Sequence, residues 1–96
     1  MSAKKQLEFT RRAIRKIAEA EEYIAQDNPH AAKKVAQYIY DVAESLESFP
    51  ILGRMGESAG IRELVLEKYP YSILYRLTAA KIIILSVVQQ SRAQRI

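Results

Sequence analysis

The sequence holds few residues of the kinds that catalyse reactions or bind metals. Its 96 residues include no cysteine and a single histidine, His30, at the start of a predicted helix. This lone histidine is expected to be a surface residue remote from the strands of the second half of the chain, and there is no thiol, so no Ser-His-Asp, Cys-His or histidine-based metal site is expected. The three glycines, Gly53, Gly56 and Gly60, match neither nucleotide-binding fingerprint. We therefore expect no metal, no cofactor and no catalytic set.

Charged side chains are the remaining candidates for chemistry. Glu63 and Glu67 lie beside Arg62 and Lys68 in the sequence, so an acid–base role stays open next to the more usual interpretation of a solvated strand edge. The net charge of +4 is uneven: residues 1–48 hold eight basic and eight acidic residues, and residues 49–96 hold seven and three. Such an excess is common in small domains, but it also suits a surface for nucleic acid or an acidic protein.

Length and composition predict one small folded unit to position these residues. A chain of 96 residues supports one core, and 49% hydrophobic with 27% charged residues is ordinary for a globular domain. Residues 1–96 are therefore predicted to form a single domain. No apolar run reaches the length of a signal peptide or membrane span, which predicts no membrane attachment and, with the lack of cysteine, a cytoplasmic location.

Three runs of strand length dominate the second half of the chain. They cover residues 61–66, 69–77 and 81–89 and are rich in β-branched and aromatic residues. The breaks between them are too short for a crossover, so we expect an antiparallel meander. A further strand is predicted at residues 3–9, where Leu7 and Phe9 alternate with polar neighbours.

Two helices are predicted between the first strand and the meander. Thr10 is the predicted N-cap of a helix over residues 11–26, and Asn28 with Pro29 predicts the start of a second helix that ends before Pro50. Apolar residues of the second helix recur at intervals of four and three and are predicted to be buried: Val35, Ile39, Val42, Leu46 and Phe49. The expected fold is α+β, in the order β-α-α-β-β-β, with a helical hairpin packed on one face of an antiparallel sheet.

The last hairpin predicts which side chains share a face of the sheet. A turn centred on residues 79–80 places Tyr75 opposite Ile84 and Arg76 opposite Ile83. The more uniformly apolar face should take the helices: Tyr71, Ile73, Tyr75, Leu77, Ile82, Ile84 and Val88. The other face is mixed and too apolar to stay bare, so the tail or a partner should cover it: Ser72, Leu74, Arg76, Ile83, Leu85, Val87 and Gln89. A register slip of one residue would exchange the faces.

Four short motifs follow one another along the chain. They are Asn28-Pro29 between the helices, Phe49-Pro50-Ile51-Leu52-Gly53-Arg54 before the meander, Arg62-Glu63-Leu64, and Tyr69-Pro70-Tyr71-Ser72-Ile73-Leu74-Tyr75-Arg76. In this order and spacing, over roughly residues 5–92, the chain resembles the ParE/RelE superfamily of type II toxins. The resemblance implies a cytoplasmic toxin of the fold described above, neutralised by a cognate antitoxin in a hetero-oligomer.

Two branches of this superfamily differ in function. RelE-like members cut messenger RNA on the ribosome, whereas ParE-like members poison DNA gyrase without being known as nucleases. This chain has Ser72 where many nuclease members have arginine, and Gln89-Gln90 where many have histidine; Glu63 and Val65 stand where RelE has lysines. These departures favour the ParE-like branch. A ribosome-dependent mRNA endoribonuclease and an inactive toxin fold kept as an antitoxin-binding module stay as alternatives.

The candidate contact residues form two groups. Arg62, Arg76, Arg92 and Gln89 are predicted to contact the target or a phosphate. The arginines provide charge but no proton acceptor near neutral pH, so no catalytic residue is assigned. Leu74, Ile83, Leu85 and Val87 are predicted to bind the antitoxin, because they form the apolar part of the sheet face opposite the helices.

Overall fold

The fold is a pair of helices on a five-stranded sheet, seen in a computed structural model that describes residues 5–56, 58 and 60–90. In chain order the elements are β1 (Gln6–Phe9), α1 (Arg11–Ala25), α2 (Pro29–Ser45), β2 (Arg54–Met55), β3 (Ile61–Val65), β4 (Tyr71–Leu77) and β5 (Lys81–Gln89). The strands lie in the order β1-β5-β4-β3-β2. The predicted α+β class and element order are confirmed, and the short strand β2 is an addition.

The sheet is mixed because its first strand is parallel to its last. β3, β4 and β5 form the predicted antiparallel meander. β1 lies beside β5 in the same direction, with Gln6 opposite Lys81 and Phe9 opposite Ile84. Both helices separate β1 from the meander, and this connection is long enough for a parallel arrangement, which a tight turn could not provide. The expectation of an antiparallel sheet therefore holds for four strands and not for β1.

Both helices begin at the predicted caps. The Thr10 hydroxyl accepts a hydrogen bond from the Ala13 amide at 3.0 Å, and the Asn28 side chain accepts one from the Ala31 amide at 3.1 Å. Pro29 occupies the first turn of α2, where its missing N–H leaves no bond unmade. These caps fix where each helix enters the hairpin.

The second helix is shorter than the apolar repeat predicts. α2 ends at Ser45, and Leu46 is still fully buried, but Phe49 is 63% exposed. After Ser45 the chain continues in tight turns, with the Leu46 amide donating to Ala43 and the Phe49 amide to Ser45. These turns end the helical phase, so the prediction that Phe49 is buried is wrong. Val35 and Ile39 are buried as predicted, and Val42 is half-buried.

A β-bulge in β5 changes which residues face the helices. The predicted pairs Tyr75–Ile84 and Arg76–Ile83 are confirmed, but Leu74 pairs with Ser86, which leaves Leu85 as the extra residue. The side-chain alternation of β5 is therefore shifted beyond the bulge. Val87 lies opposite Ile73 in the core and is 3% exposed, whereas the half-buried Val88 lies opposite Ser72. The predicted places of Val87 and Val88 are thus exchanged.

Candidate functional site

Tyr75 holds the loop that follows α2 against the sheet. Its hydroxyl donates a hydrogen bond to the Pro50 carbonyl at 2.8 Å and accepts one from the Gly53 amide at 2.8 Å. Tyr75 is fully buried, and this burial raises the pKa of its phenol, an effect that the Gly53 hydrogen bond and the nearby Arg62 charge oppose. The neutral phenol is the form that makes both hydrogen bonds.

Gly53 is the residue that this arrangement requires at its position. A Cβ atom there would lie 2.8 Å from both the ring and the hydroxyl of Tyr75, and 3.1 Å from the carbonyl carbon of Glu63. The contacts at 2.8 Å are closer than a Cβ atom can approach and the one at 3.1 Å is tight, so a side chain here would displace Tyr75 or the loop. Two positions of the Phe-Pro-x-x-Gly-Arg motif therefore have a structural role. The proline carbonyl accepts the Tyr75 hydrogen bond, and the glycine leaves room for the Tyr75 side chain.

Arg62 belongs to the same arrangement. It lies opposite Tyr75 in the sheet, on the face that carries the helices, and its Nη1 donates to the Gly53 carbonyl at 2.6 Å. We call Arg62 and Tyr75, together with the Pro50 and Gly53 backbone that they bind, the loop anchor. One predicted target contact is thus bound to the backbone of its own chain.

Arg76 lies on the opposite face of the sheet. It pairs with Ile61 and Ile83, and its side chain is exposed. Neighbouring carboxylates on this face are already paired: Glu8 with Lys81 at 2.9 Å, and Glu63 with Arg54 at 3.4 Å. Within the residues that the structure describes, Arg76 makes no ion pair, and its side chain is open to solvent.

Gln89 is far from Arg76. It lies opposite Tyr71 and lines a groove of about 320 Å³ between α1 and the end of β5, together with Arg12, Lys16 and Tyr23. Gln89 is six positions along β5 from Ile83, the neighbour of Arg76, which is about 20 Å at the rise of a strand. Arg92 lies outside the described residues. The described residues predicted to contact the target therefore do not form one site.

The residues predicted to bind the antitoxin are less exposed than their sequence suggests. Leu74, Ile83 and Leu85 are half-buried, and Val87 belongs to the core because of the bulge. Ser72, on the face opposite the helices, is fully buried. This face therefore presents less open apolar surface than the prediction required.

A second apolar surface was missed. Phe49, Ile51 and Leu52 on the loop after α2, and Val65 on β3, are all exposed; we call these four residues the apolar platform. The sequence interpretation placed Phe49 in the core, which hid this surface. The run Phe49-Pro50-Ile51-Leu52 is the feature that could have revealed it, because Pro50 ends helical geometry within an apolar stretch.

Within residues 5–56, 58 and 60–90, no group of three histidine, cysteine or acidic side chains is placed to hold a metal ion. His30 is exposed in the first turn of α2. None of the helices in the same ranges has the length and apolar character needed to cross a membrane.

Comparison with known proteins decides the family. The family described as the ParE toxin of the type II toxin–antitoxin system parDE matches residues 7–94. The chain belongs to this ParE toxin family. Y4kP of Sinorhizobium fredii, which is named as a toxin, is 38% identical over 76 residues that cover 79% of each protein. Toxin RelE2 of Caulobacter vibrioides is 37% identical over 70 residues, covering 73% of this chain and 77% of the relative.

A solved structure supports the ParE assignment. The chain is similar to one from the chromosomal ParDE toxin–antitoxin system of P. aeruginosa, with a TM-score of 0.83 and 28% identity. The match covers 94% of this chain and 100% of the other. The resemblance inferred from the motifs is therefore confirmed, and this ParE family member is a toxin of a type II toxin–antitoxin system.

Proposed function

We propose that this ParE toxin acts as a non-enzymatic poison of DNA gyrase in the cytoplasm. The observation that carries the proposal is the match of the ParE family to residues 7–94. Inhibition of a large protein target requires a binding surface and no reacting groups, which suits a chain whose polar residues are dispersed. We place the exposed Arg76, on the sheet face opposite the helices, in contact with that target.

The placement of the polar residues argues against RNA cleavage. Cleavage of a phosphodiester needs an acid, a base or several cations converging on one phosphate. Arg62 is bound to the Gly53 carbonyl, Arg76 lies on the other face, and Gln89 lies near the far end of β5. The Ser72 hydroxyl is buried, so it cannot reach a substrate.

The second candidate function is mRNA cleavage on the ribosome. Toxin RelE2 of Caulobacter vibrioides, at 37% identity, carries a name from the nuclease branch of the superfamily. The exposed charge of Arg76 would bind an RNA phosphate as readily as an acidic protein surface. The two mechanisms differ in whether RNA is cut, which an experiment can decide.

The partner that we propose for the toxin is a cognate antitoxin in a hetero-oligomer. The similar P. aeruginosa chain comes from a toxin–antitoxin system. Antitoxin segments that fold onto their partner need an apolar surface to repay the ordering of their own chain. Two surfaces are candidates for this role: the apolar platform, and the half-buried residues Leu74, Ile83 and Leu85.

Purified antitoxin-free toxin should be tested on gyrase and on translating ribosomes in parallel. We expect inhibition of supercoiling that the antitoxin relieves, and intact messenger RNA. The matched variant Arg76→Ala should inhibit gyrase more weakly, with a loss that grows as salt is lowered. Codon-specific cuts in ribosome-bound mRNA that vanish in Arg76→Ala would replace the gyrase proposal with the nuclease one. A toxin without either activity would support the inactive, antitoxin-binding fold.

A further inference from the structure

Exposed apolar side chains of this toxin are concentrated in one region. Seven large hydrophobic residues are exposed in the described part of the chain, and the four of the apolar platform lie on the loop after α2 and on β3. Single exposed apolar residues are ordinary on a protein surface. Phe49, Ile51 and Leu52 lie within one short loop, and Leu52 lines the same groove as Val65. Apolar patches of this kind mark sites of interaction.

The platform continues into a groove between α2 and β3. Leu52 and Val65 line this groove of about 260 Å³, together with the half-buried Tyr38, Val42 and Leu64. Tyr38, which forms one wall of the groove, makes two further contacts. Its ring packs edge-on against Tyr69 at 5.3 Å between centroids, and the Lys68 Nζ lies 5.5 Å from the Tyr38 centroid. A raised apolar loop next to an apolar groove can receive a partner's side chains.

The loop anchor holds the platform in place before any partner binds. The Tyr75 hydroxyl and Arg62 bind the loop backbone at Pro50 and Gly53 with three hydrogen bonds of 2.6–2.8 Å. The Leu52 amide donates to Phe49 at 3.1 Å, which closes the turn between the two exposed side chains. A surface ordered in advance does not have to be immobilised on binding, so more of its contact energy appears as affinity.

The size of the platform distinguishes between possible occupants. Its four side chains are 43–68% exposed, which for side chains of roughly 150–200 Å² is on the order of 400 Å² of apolar surface. A stable interface between two copies of the chain needs about 800 Å² per partner. The platform and groove therefore suit one amphipathic segment with a few apolar anchors better than a second globular surface.

We propose that the apolar platform and its groove bind an amphipathic segment of the antitoxin. This inference rests on the proposed pairing of the toxin with an antitoxin and names the surface that the antitoxin covers. It centres the antitoxin on the loop after α2 and its groove rather than on Leu74, Ile83 and Leu85, because these residues are half-buried and Val87 is in the core. Val65, which pairs with Ser72, lies where this groove meets the edge of the sheet face opposite the helices. The apolar anchors of the segment lie on Leu52 and Val65.

The test is the affinity of purified antitoxin for toxin variants, measured by calorimetry. Leu52→Asp should weaken binding at least about tenfold, since a charge on a central apolar contact removes an anchor. Ile14→Asp is the matched control, because Ile14 is 49% exposed on α1, away from the platform, compared with 54% for Leu52; it should change affinity less than about twofold. Phe49→Ser, at a side chain that is 63% exposed, is the milder second variant if Leu52→Asp does not fold.

Three other results would overturn the inference. The antitoxin would lie on the sheet face around Leu85 if Leu85→Asp weakened the complex while Leu52→Asp and Phe49→Ser did not. Loss of gyrase inhibition in the platform variants with unchanged antitoxin affinity would make the platform a surface for the target. Unchanged affinity and inhibition would leave it without a partner. If wild-type toxin does not inhibit gyrase while Leu52→Asp still weakens antitoxin binding, the gyrase proposal is refuted and this inference is supported.

Discussion

The two arginines of the central strands, Arg62 on β3 and Arg76 on β4, serve different faces of the same sheet. Arg62 lies opposite Tyr75 and binds the Gly53 carbonyl, so its charge is used inside the protein. Arg76 lies opposite Ile61, one position along, and is exposed without an ion pair among the residues described. In the sequence both are arginines on strands of one meander. In the structure one holds a loop and the other is exposed on the opposite face of the sheet.

The difference follows from the two-residue period of a strand. Neighbouring pairs along two antiparallel strands point to alternate faces, so a shift of one residue decides whether a charge meets the helices or solvent. Loop length then decides what an inward-facing arginine can bind. Here the chain returns from α2 over the helix-bearing side of the sheet and offers the Gly53 carbonyl to Arg62. A charged residue on a strand thus acquires its role from register and from the nearest loop.

The largest loss of stability is expected from Gly53→Ala, which would push the loop off its anchor. The new methyl group would lie 2.8 Å from Tyr75 and 3.1 Å from the Glu63 backbone. Overpacking together with weakened hydrogen bonds should lower the free energy of unfolding by roughly 2–4 kcal/mol. Chemical denaturation measures this loss, with Phe49→Ala at the exposed side of the loop as the control. A change below about 0.5 kcal/mol would show that the loop anchor contributes little.

Removing the Tyr75 hydroxyl should have an intermediate effect. Tyr75→Phe leaves the Pro50 carbonyl and the Gly53 amide without their partner, while the ring still fills the core. The free energy of unfolding should fall by about 1–3 kcal/mol at neutral pH. Stability equal to that of wild-type toxin in urea denaturation would mean that water replaces the hydroxyl without cost.

The same variant should change how stability depends on alkaline pH. Burial raises the pKa of Tyr75 above its ordinary value of 10.0, so the folded protein holds the phenol proton more tightly than the unfolded chain does. The stabilisation is complete below pH 10 and is lost as the pH rises through the folded-state pKa. Tyr75→Phe should therefore flatten the decline of stability above pH 10. A slope should persist from Tyr71, whose pKa burial also raises.

The fold could be predicted from the sequence where local rules decide it. The caps Thr10 and Asn28, the antiparallel meander and the pairing of Tyr75 with Ile84 all follow from turn length, capping chemistry and alternation. The parallel pairing of β1 could not be predicted in this way, because strand order depends on packing across the whole chain. The bulge at Leu85 was also invisible, since an extra residue in β5 leaves its apolar pattern intact.

The candidate site was harder to predict than the fold for the same reason. The bulge moves Val87 into the core, and the early end of α2 moves Phe49 out of it. Both errors come from extending a periodic pattern past the point where the backbone changes geometry. The role of Arg62 required knowing where the loop returns, which no pattern of residues within β3 contains. Arg76, Leu74 and Ile83, placed by register before the bulge, do lie on the predicted face.

The smallest effects on stability are expected from Arg62→Ala and Arg76→Ala. This pair of variants is also the sharpest test of the difference between the two arginines. Arg62→Ala removes a charged hydrogen bond from the half-buried loop anchor and should cost about 1 kcal/mol of unfolding free energy. Arg76→Ala removes an exposed charge and should change stability by less than about 0.5 kcal/mol.

The order of the two variants should reverse in the gyrase assay, where Arg76→Ala should have the larger effect. Arg76→Ala should weaken inhibition in a salt-dependent way, because exposed charges steer association, while folded Arg62→Ala should keep its activity. Equal effects of both variants in both assays would mean that the two faces of the sheet do not divide the roles.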